Sequence, residues 1–140
     1  MTTNDVTRNV QTVNAIYEAF GKGDVSTILE RLAEDVDWEF ATGPNDVPWL
    51  QPGRGRAAAA RFFEAIGGGL EIRDFRVHAV MGEGEWVVGL VMVEGVAKRT
   101  GRRVSEPCEA HIWRFDGKGR VVAMRHAADT LQQQRACEAR

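Results

Sequence analysis

Three turn signals divide the second half of the chain at short intervals, and they constrain the fold more than any other feature. They are Gly82-Glu83-Gly84, Thr100-Gly101 and Asp116-Gly117-Lys118-Gly119. Glycine-rich turns between alternating apolar runs mark hairpins. Strands are therefore expected near 70 to 81, 85 to 98, 104 to 115 and 120 to 129, as a meander. In the second of these, Trp86, Val88, Leu90 and Met92 share one face, while Val87, Val91 and Val93 share the other. A strand apolar on both faces is covered on both. Helices can cover one face of a bent sheet. A second copy of the chain is expected on the other, which predicts a homodimer.

The first half reads as helical. Val6, Val10, Val13, Tyr17 and Phe20 recur at steps of three and four, one face of a helix. Gly21 and Gly23 end it, and Asp24 is a good N-cap for a second helix carrying Val25, Ile28, Leu29 and Leu32. Val36 to Phe40 alternates with period two, a short strand. Residues 41 to 55 hold three prolines and three glycines, a long loop of the kind that often serves function. Its Trp49 either closes over a pocket or packs outside the core. Ala57 to Ile66 reads as a third helix, stopped by Gly67-Gly68-Gly69. The tail from Thr130 to Arg140 is polar and reads as a frayed helix.

A chain of 140 residues suits one domain, residues 1–140, and no linker or internal repeat divides it. A net charge of -2 gives no reason to expect nucleic acid. The basic residues Lys98, Arg99, Arg102 and Arg103 flank Gly101 and read as a solvated hairpin tip. No secretion signal or membrane-length apolar run is present. Cys108 and Cys137 form no metal-binding spacing and read as reduced thiols, so a cytoplasmic protein is expected.

Several segments in this order resemble a known family. Ala15-Ile16-Tyr17-Glu18-Ala19-Phe20 runs into Gly23-Asp24, and Ala33-Glu34-Asp35-Val36 leads to a strand. Val47-Pro48-Trp49 precedes Gly53-Arg54-Gly55-Arg56 and Phe62-Phe63. A closing hairpin runs from Ala110-His111-Ile112-Trp113 through Asp116-Gly117 to Asp129. Together they resemble the SnoaL-like, ketosteroid isomerase-like branch of the nuclear transport factor 2-like superfamily. The resemblance implies an α+β, cone-shaped (cystatin-like) fold, with three N-terminal helices packed on a strongly bent antiparallel sheet. It also implies a pocket between sheet and helices, used in that family by isomerases, polyketide cyclases and hydrolases.

The family's known catalytic residues are mostly replaced. The general base of ketosteroid isomerase falls at Phe40, which cannot take a proton, and its acid falls at His111. The family tyrosine is displaced by one position, to Tyr17, which rotates it by about 100° on a helix. Glu39, next to the base position, is expected to point to the opposite face by strand alternation. The positions resembling the limonene epoxide hydrolase site carry Glu109, His111 and His126. Asp129 resembles the acid–base residue of the polyketide cyclases if its side chain turns inward; a helix cap is the plainer expectation.

The residues also define a set of their own. Glu109, His111 and Trp113 share a strand face. If Phe115 pairs with Val122, Trp113 faces Met124 and His111 faces His126. The candidate acid–base residues are therefore His111 first, with Glu109, His126, Tyr17 and Asp129. The wall is expected to include Trp38, Phe40, Trp49, Phe63, Met92, Trp113 and Met124. Three readings stay open: acid–base chemistry on a small hydrophobic carbonyl compound, a satisfied hydrogen-bond network around a bound small hydrophobic molecule, or a metal site. The first two need no cofactor. No short helical His spacing supports the third, so no metal is expected. No membrane or nucleic-acid partner is expected either.

Overall fold

The structure is a computed structural model that describes residues 3–138. Helix α1 (Thr3–Gly21) buries Val13 and Tyr17 of the expected face, leaves Val6, Val10 and Phe20 half-buried, and adds Ile16 to the core. Asp24 caps α2 (Val25–Glu30) by accepting from the Thr27 amide at 3.2 Å. Leu32, expected on that helix, instead opens strand β1 (Leu32–Trp38) and is fully buried there. After the long loop come a two-residue strand β2 (Gly53–Arg54) and helix α3 (Arg56–Gly69).

The three glycines expected to stop α3 are its last turn. Glycine weakens a helix interior by about 1 kcal/mol relative to alanine, but two contacts hold this turn in place. Lys98 donates from Nζ to the Gly67 carbonyl at 2.6 Å, and from its backbone amide to the Gly69 carbonyl at 2.9 Å. Two of the orphan carbonyls of the helix end are thereby satisfied.

Strands β3 (Leu70–Glu83), β4 (Trp86–Ala97), β5 (Arg103–Phe115) and β6 (Val121–Ala127) form the expected meander, followed by helix α4 (Thr130–Cys137). The sheet order is β2-β1-β6-β5-β4-β3. β1 lies parallel to β6, so the sheet is mixed rather than wholly antiparallel. Register shifts interrupt the β3–β4, β4–β5 and β5–β6 ladders, and such bulges bend a sheet. One of them pairs Phe115 with Val121 rather than the expected Val122, while Trp113–Met124 and His111–His126 pair as expected.

The core sits between the helices and the sheet face carrying Val87, Val91, Val93, Trp113 and Phe115. Met92 was expected on this wall, but it alternates with the buried Val91 and Val93 on the half-covered outer face. Cross-strand partners point to the same side, and Glu109 pairs with Val91; the inward face of β5 therefore requires Val91 inward and Met92 outward. Helix α4 is docked rather than frayed, burying Gln133 and Ala136. Among the described residues no helix is long and apolar enough to cross a membrane.

Candidate functional site

The helices and the inner sheet face enclose a cavity with about 60 Å³ of water-accessible space. That is room for ordered water or a small ligand. Its wall is mostly apolar and aromatic, and Trp38, Trp49, Phe63, Trp113 and Met124 border it. Phe40, expected there, is not on the wall. It follows a chain reversal and lies on the outside, with Trp86 at 6.2 Å and the Arg125 guanidinium over its ring at 6.0 Å.

The polar groups gather along one side. His111 bridges two partners: its Nδ1 lies 2.8 Å from the Tyr17 hydroxyl and its Nε2 lies 2.6 Å from Glu109 Oε2. Tyr17 donates to Nδ1, and Nε2–H donates to the Glu109 carboxylate. Trp113 Nε1 in turn donates to the Tyr17 oxygen at 3.4 Å. Burial holds His111 below the usual imidazole range, so it stays neutral. Burial raises the Tyr17 hydroxyl and keeps it protonated. Burial also raises Glu109, but the bond from His111 and the nearby imidazoles outweigh it and leave it below the usual carboxylate range.

His126 is arranged differently. Its ring stands 4.7 Å from that of His111, centroid to centroid. Its Nδ1 donates to Glu39 Oε2 at 2.5 Å, and its backbone amide donates to Glu39 Oε1 at 2.9 Å. Burial alone would lower this imidazole, yet the Glu39 carboxylate outweighs it and raises His126 above the usual range. Its Nε2 meets no protein partner among the described residues, and the ring borders the cavity.

Glu39 was expected to point away from the pocket. It is instead fully buried, because β1 ends at Trp38 and Glu39 adopts a φ of 57°, the left-handed region. That conformation is uncommon outside glycine, and it breaks the strand alternation on which the expectation rested.

Two more inward groups lay outside the expected set. Glu106 is buried because a bulge at the exposed Pro107 and Cys108 inserts a residue between it and Glu109. A proline inside a strand is a sign of such a bulge. Burial pushes its carboxyl up. Gln133, from α4, accepts from Trp49 Nε1 at 2.8 Å and donates to Glu106 at 2.7 Å, with a longer 3.5 Å contact to Glu109. Trp49 thus closes the cavity and is fastened to α4. The Asp129 backbone amide also donates to Glu106 Oε2, at 3.0 Å, while its exposed side chain caps α4 by accepting from the Gln132 amide at 3.1 Å.

Glu109, His111 and His126 each offer a donor atom, all within 4.8 Å of one another, a set able to hold a divalent transition ion. Such an ion would have to displace the proton shared by His111 and Glu109 and the proton on His126.

Residues 13–124 match the family pattern of the SnoaL-like domain. The chain belongs to the SnoaL-like family. Solved structures of the same fold agree over nearly the whole chain. A nuclear transport factor 2-like protein from Burkholderia xenovorans LB400 is similar at 27% identity and a TM-score of 0.80, over 95% of this chain and 98% of its own. A proposed SnoaL-like polyketide cyclase from Jannaschia sp. CCS1 is similar at 22% identity and a TM-score of 0.79, over 100% and 98%. TerC, co-crystallised with polyporic acid, is similar at 21% identity and a TM-score of 0.74, over 94% and 99%. Among curated proteins, none matches the sequence.

Proposed function

We propose that this SnoaL-like protein is a cofactor-free acid–base enzyme that enolises a small, largely apolar carbonyl compound. His126, rather than His111, takes the place at the carbonyl oxygen. One observation carries the reading: Glu39 pins His126 Nδ1, while His126 Nε2 is left without a protein partner on the cavity wall. A histidine held this way by a carboxylate is a proton donor near neutral pH.

Glu109 supplies the base. It stays ionised, and its Oε1 meets only the long contact from Gln133. In the step proposed, the C–H bond next to the carbonyl breaks and its proton passes to Glu109. The electron pair forms the enol double bond, and the carbonyl oxygen takes the proton from His126 Nε2. Return of a proton from Glu109 to the same carbon, with His126 Nε2 recovering its proton from the enol oxygen, restores the ketone with its α-hydrogen exchanged. Where a second double bond is conjugated with the enol, protonation at its far carbon gives an isomer. Nothing is oxidised or consumed. Tyr17 and His111 position Glu109. The likeness to a proposed polyketide cyclase and to TerC with polyporic acid supports a cavity that takes an organic molecule; the fold alone does not select the reaction.

A second reading, binding without turnover, is favoured by one feature: both ring nitrogens of His111 are bonded to protein. Incubating the protein with small cyclic ketones in D₂O separates the two. The enzymatic reading expects catalysed exchange of the α-hydrogens, lowered at least a hundredfold in His126→Gln, the scale of a lost general acid. Exchange at the uncatalysed rate for every ketone, with binding intact, favours a carrier.

A further inference from the structure

The cavity does not end at its own wall. Phe20, Phe63, Ile66, Leu70 and Ile72 border it on one side, and the same five residues border a surface cleft of about 230 Å³ on the other. One layer of side chains stands between the two. The cleft lies between the α1–α2 turn, the last turns of α3 and the start of β3, and Gly23, Val25 and Gly67 complete it. Phe20, Phe63, Ile66 and Ile72 are half-buried, so each keeps an edge in solvent. Large apolar side chains left open together mark binding grooves.

The chemistry of the cleft narrows what can fill it. Among the described residues no charged or hydrogen-bonding side chain lines it. Glycine at positions 23 and 67 leaves its rim bare, and a Cβ added at either meets nothing within 4 Å. A second cleft, beside Pro48 and Pro52, shares the buried Trp49 and Phe62 with the cavity but carries Gln51, Arg61 and Glu64. The apolar path out of the cavity therefore runs past Phe20 and Phe63, whose ring centroids stand 6.2 Å apart. Side chains with an edge in solvent change rotamer within nanoseconds, so this pair does not bar a flexible chain.

We infer that the ligand is a carbonyl compound with a hydrocarbon tail, its carbonyl end in the cavity and its tail running past Phe20 and Phe63 to fill the cleft. The inference rests on the cavity being the ligand site proposed above and names the substrate class of that site. It does not require turnover.

Straight-chain 2-alkanones test this with the full chain. Butanone, 2-hexanone and 2-octanone are titrated separately and followed by the valine methyl signals in ¹H–¹³C spectra. Val25 borders the cleft and not the cavity, and Val25→Asp identifies its signals by their loss. 2-Octanone is expected to shift the Val25 methyls in a saturable way, and butanone is not. Affinity should rise about tenfold for each two methylenes added, the gain for burying them from water.

Two variants block the cleft without touching the cavity. Gly67→Leu fills it from a helix position with open space. Val25→Asp puts a charge in it at the first position of α2, where a carboxylate suits the helix. In both, 2-octanone should bind at least tenfold more weakly while butanone binds as before. If neither variant folds, the shifts in the wild-type protein still decide.

Val25 methyls unmoved at 2-octanone saturation, or the same gain with chain length in both variants, would overturn the inference. No binding by any of the three ketones would do the same. So would a Val25 signal that changes with protein concentration instead of ketone, which would put a second copy of the chain on the cleft. Tail-dependent binding without α-hydrogen exchange would support the inference and count against the enzymatic reading alone.

Discussion

The Tyr17 hydroxyl occupies the space that a side chain at Gly89 would fill. A Cβ added there would lie 2.1 Å from the hydroxyl oxygen and under 3 Å from two ring atoms. Gly89 pairs directly with His111 across the β4–β5 ladder, so the missing side chain lets Tyr17 come down onto the imidazole. Gly89→Ala is expected to drive Tyr17 off His111 Nδ1 and to cost about 1–3 kcal/mol, the range for overpacking a core. Tyr17 is the one tyrosine of the chain, so its absorbance titration reports the change. Its ionisation should move down toward the ordinary tyrosine range.

Glu39 and His126 form a buried pair, with side chains 0% and 8% exposed. Glu39→Gln removes the charge but keeps the shape. Leaving one buried charge without its partner costs about 3–5 kcal/mol, so urea unfolding at pH 6 should show a loss of that order. The pH dependence has a definite sign. His126 is raised in the folded protein, so its pairing adds stability that is complete below its unfolded value, ~6.5. That stability is lost as pH rises through the folded value. The gap between wild type and variant should therefore narrow toward pH 8.

Gln133 connects Trp49 to Glu106. Gln133→Leu leaves the Trp49 indole N–H without a partner and leaves Glu106 with only the Asp129 backbone amide, at a cost of about 1–3 kcal/mol for an orphaned buried group. Amide hydrogen exchange in α4 and around Trp49 should accelerate more than exchange in β4 and β5. Uniform acceleration across the sheet would argue that Gln133 holds the whole core rather than the closure over the cavity.

How far this site can be read from the sequence depends on where regular alternation holds. Glu109, His111 and Trp113 alternate without interruption, and the short Asp116–Gly119 turn sets His111 opposite His126. Those four residues, with Tyr17 on a regular helix, are therefore legible. The others are hidden by breaks in regularity. Glu39 turns inward through a left-handed backbone that no alternation rule foresees. Glu106 is brought in by a bulge whose one signal is Pro107. Gln133 sits on a polar helix that looks too weak to dock, until its bonds to Trp49 and Glu106 are seen. Met92 shows the converse: the alternation of β4 is plain in the sequence, but only the pairing of Val91 with Glu109 says which face is inside.

The outer sheet face leaves Met81 and Trp86 51% and 41% exposed. We propose that a second copy of the chain covers this face, as expected from the two apolar faces of β4. Sedimentation of the wild-type protein should give twice the chain mass, and Trp86→Glu should give a monomer that keeps its fold. A monomeric wild type at micromolar concentration would remove the proposal.

The division of labour between the two histidines is the central claim, and ¹⁵N NMR of the imidazoles across pH 5 to 9 tests it most directly. His111 should stay neutral through neutral pH, with its proton on Nε2, and titrate below the ordinary histidine value because burial lowers it. His126 should titrate above that value because Glu39 holds its charge. If His111 is instead the histidine that carries the charge at pH 7, or the two titrate together near 6.5, His126 is not the held proton donor.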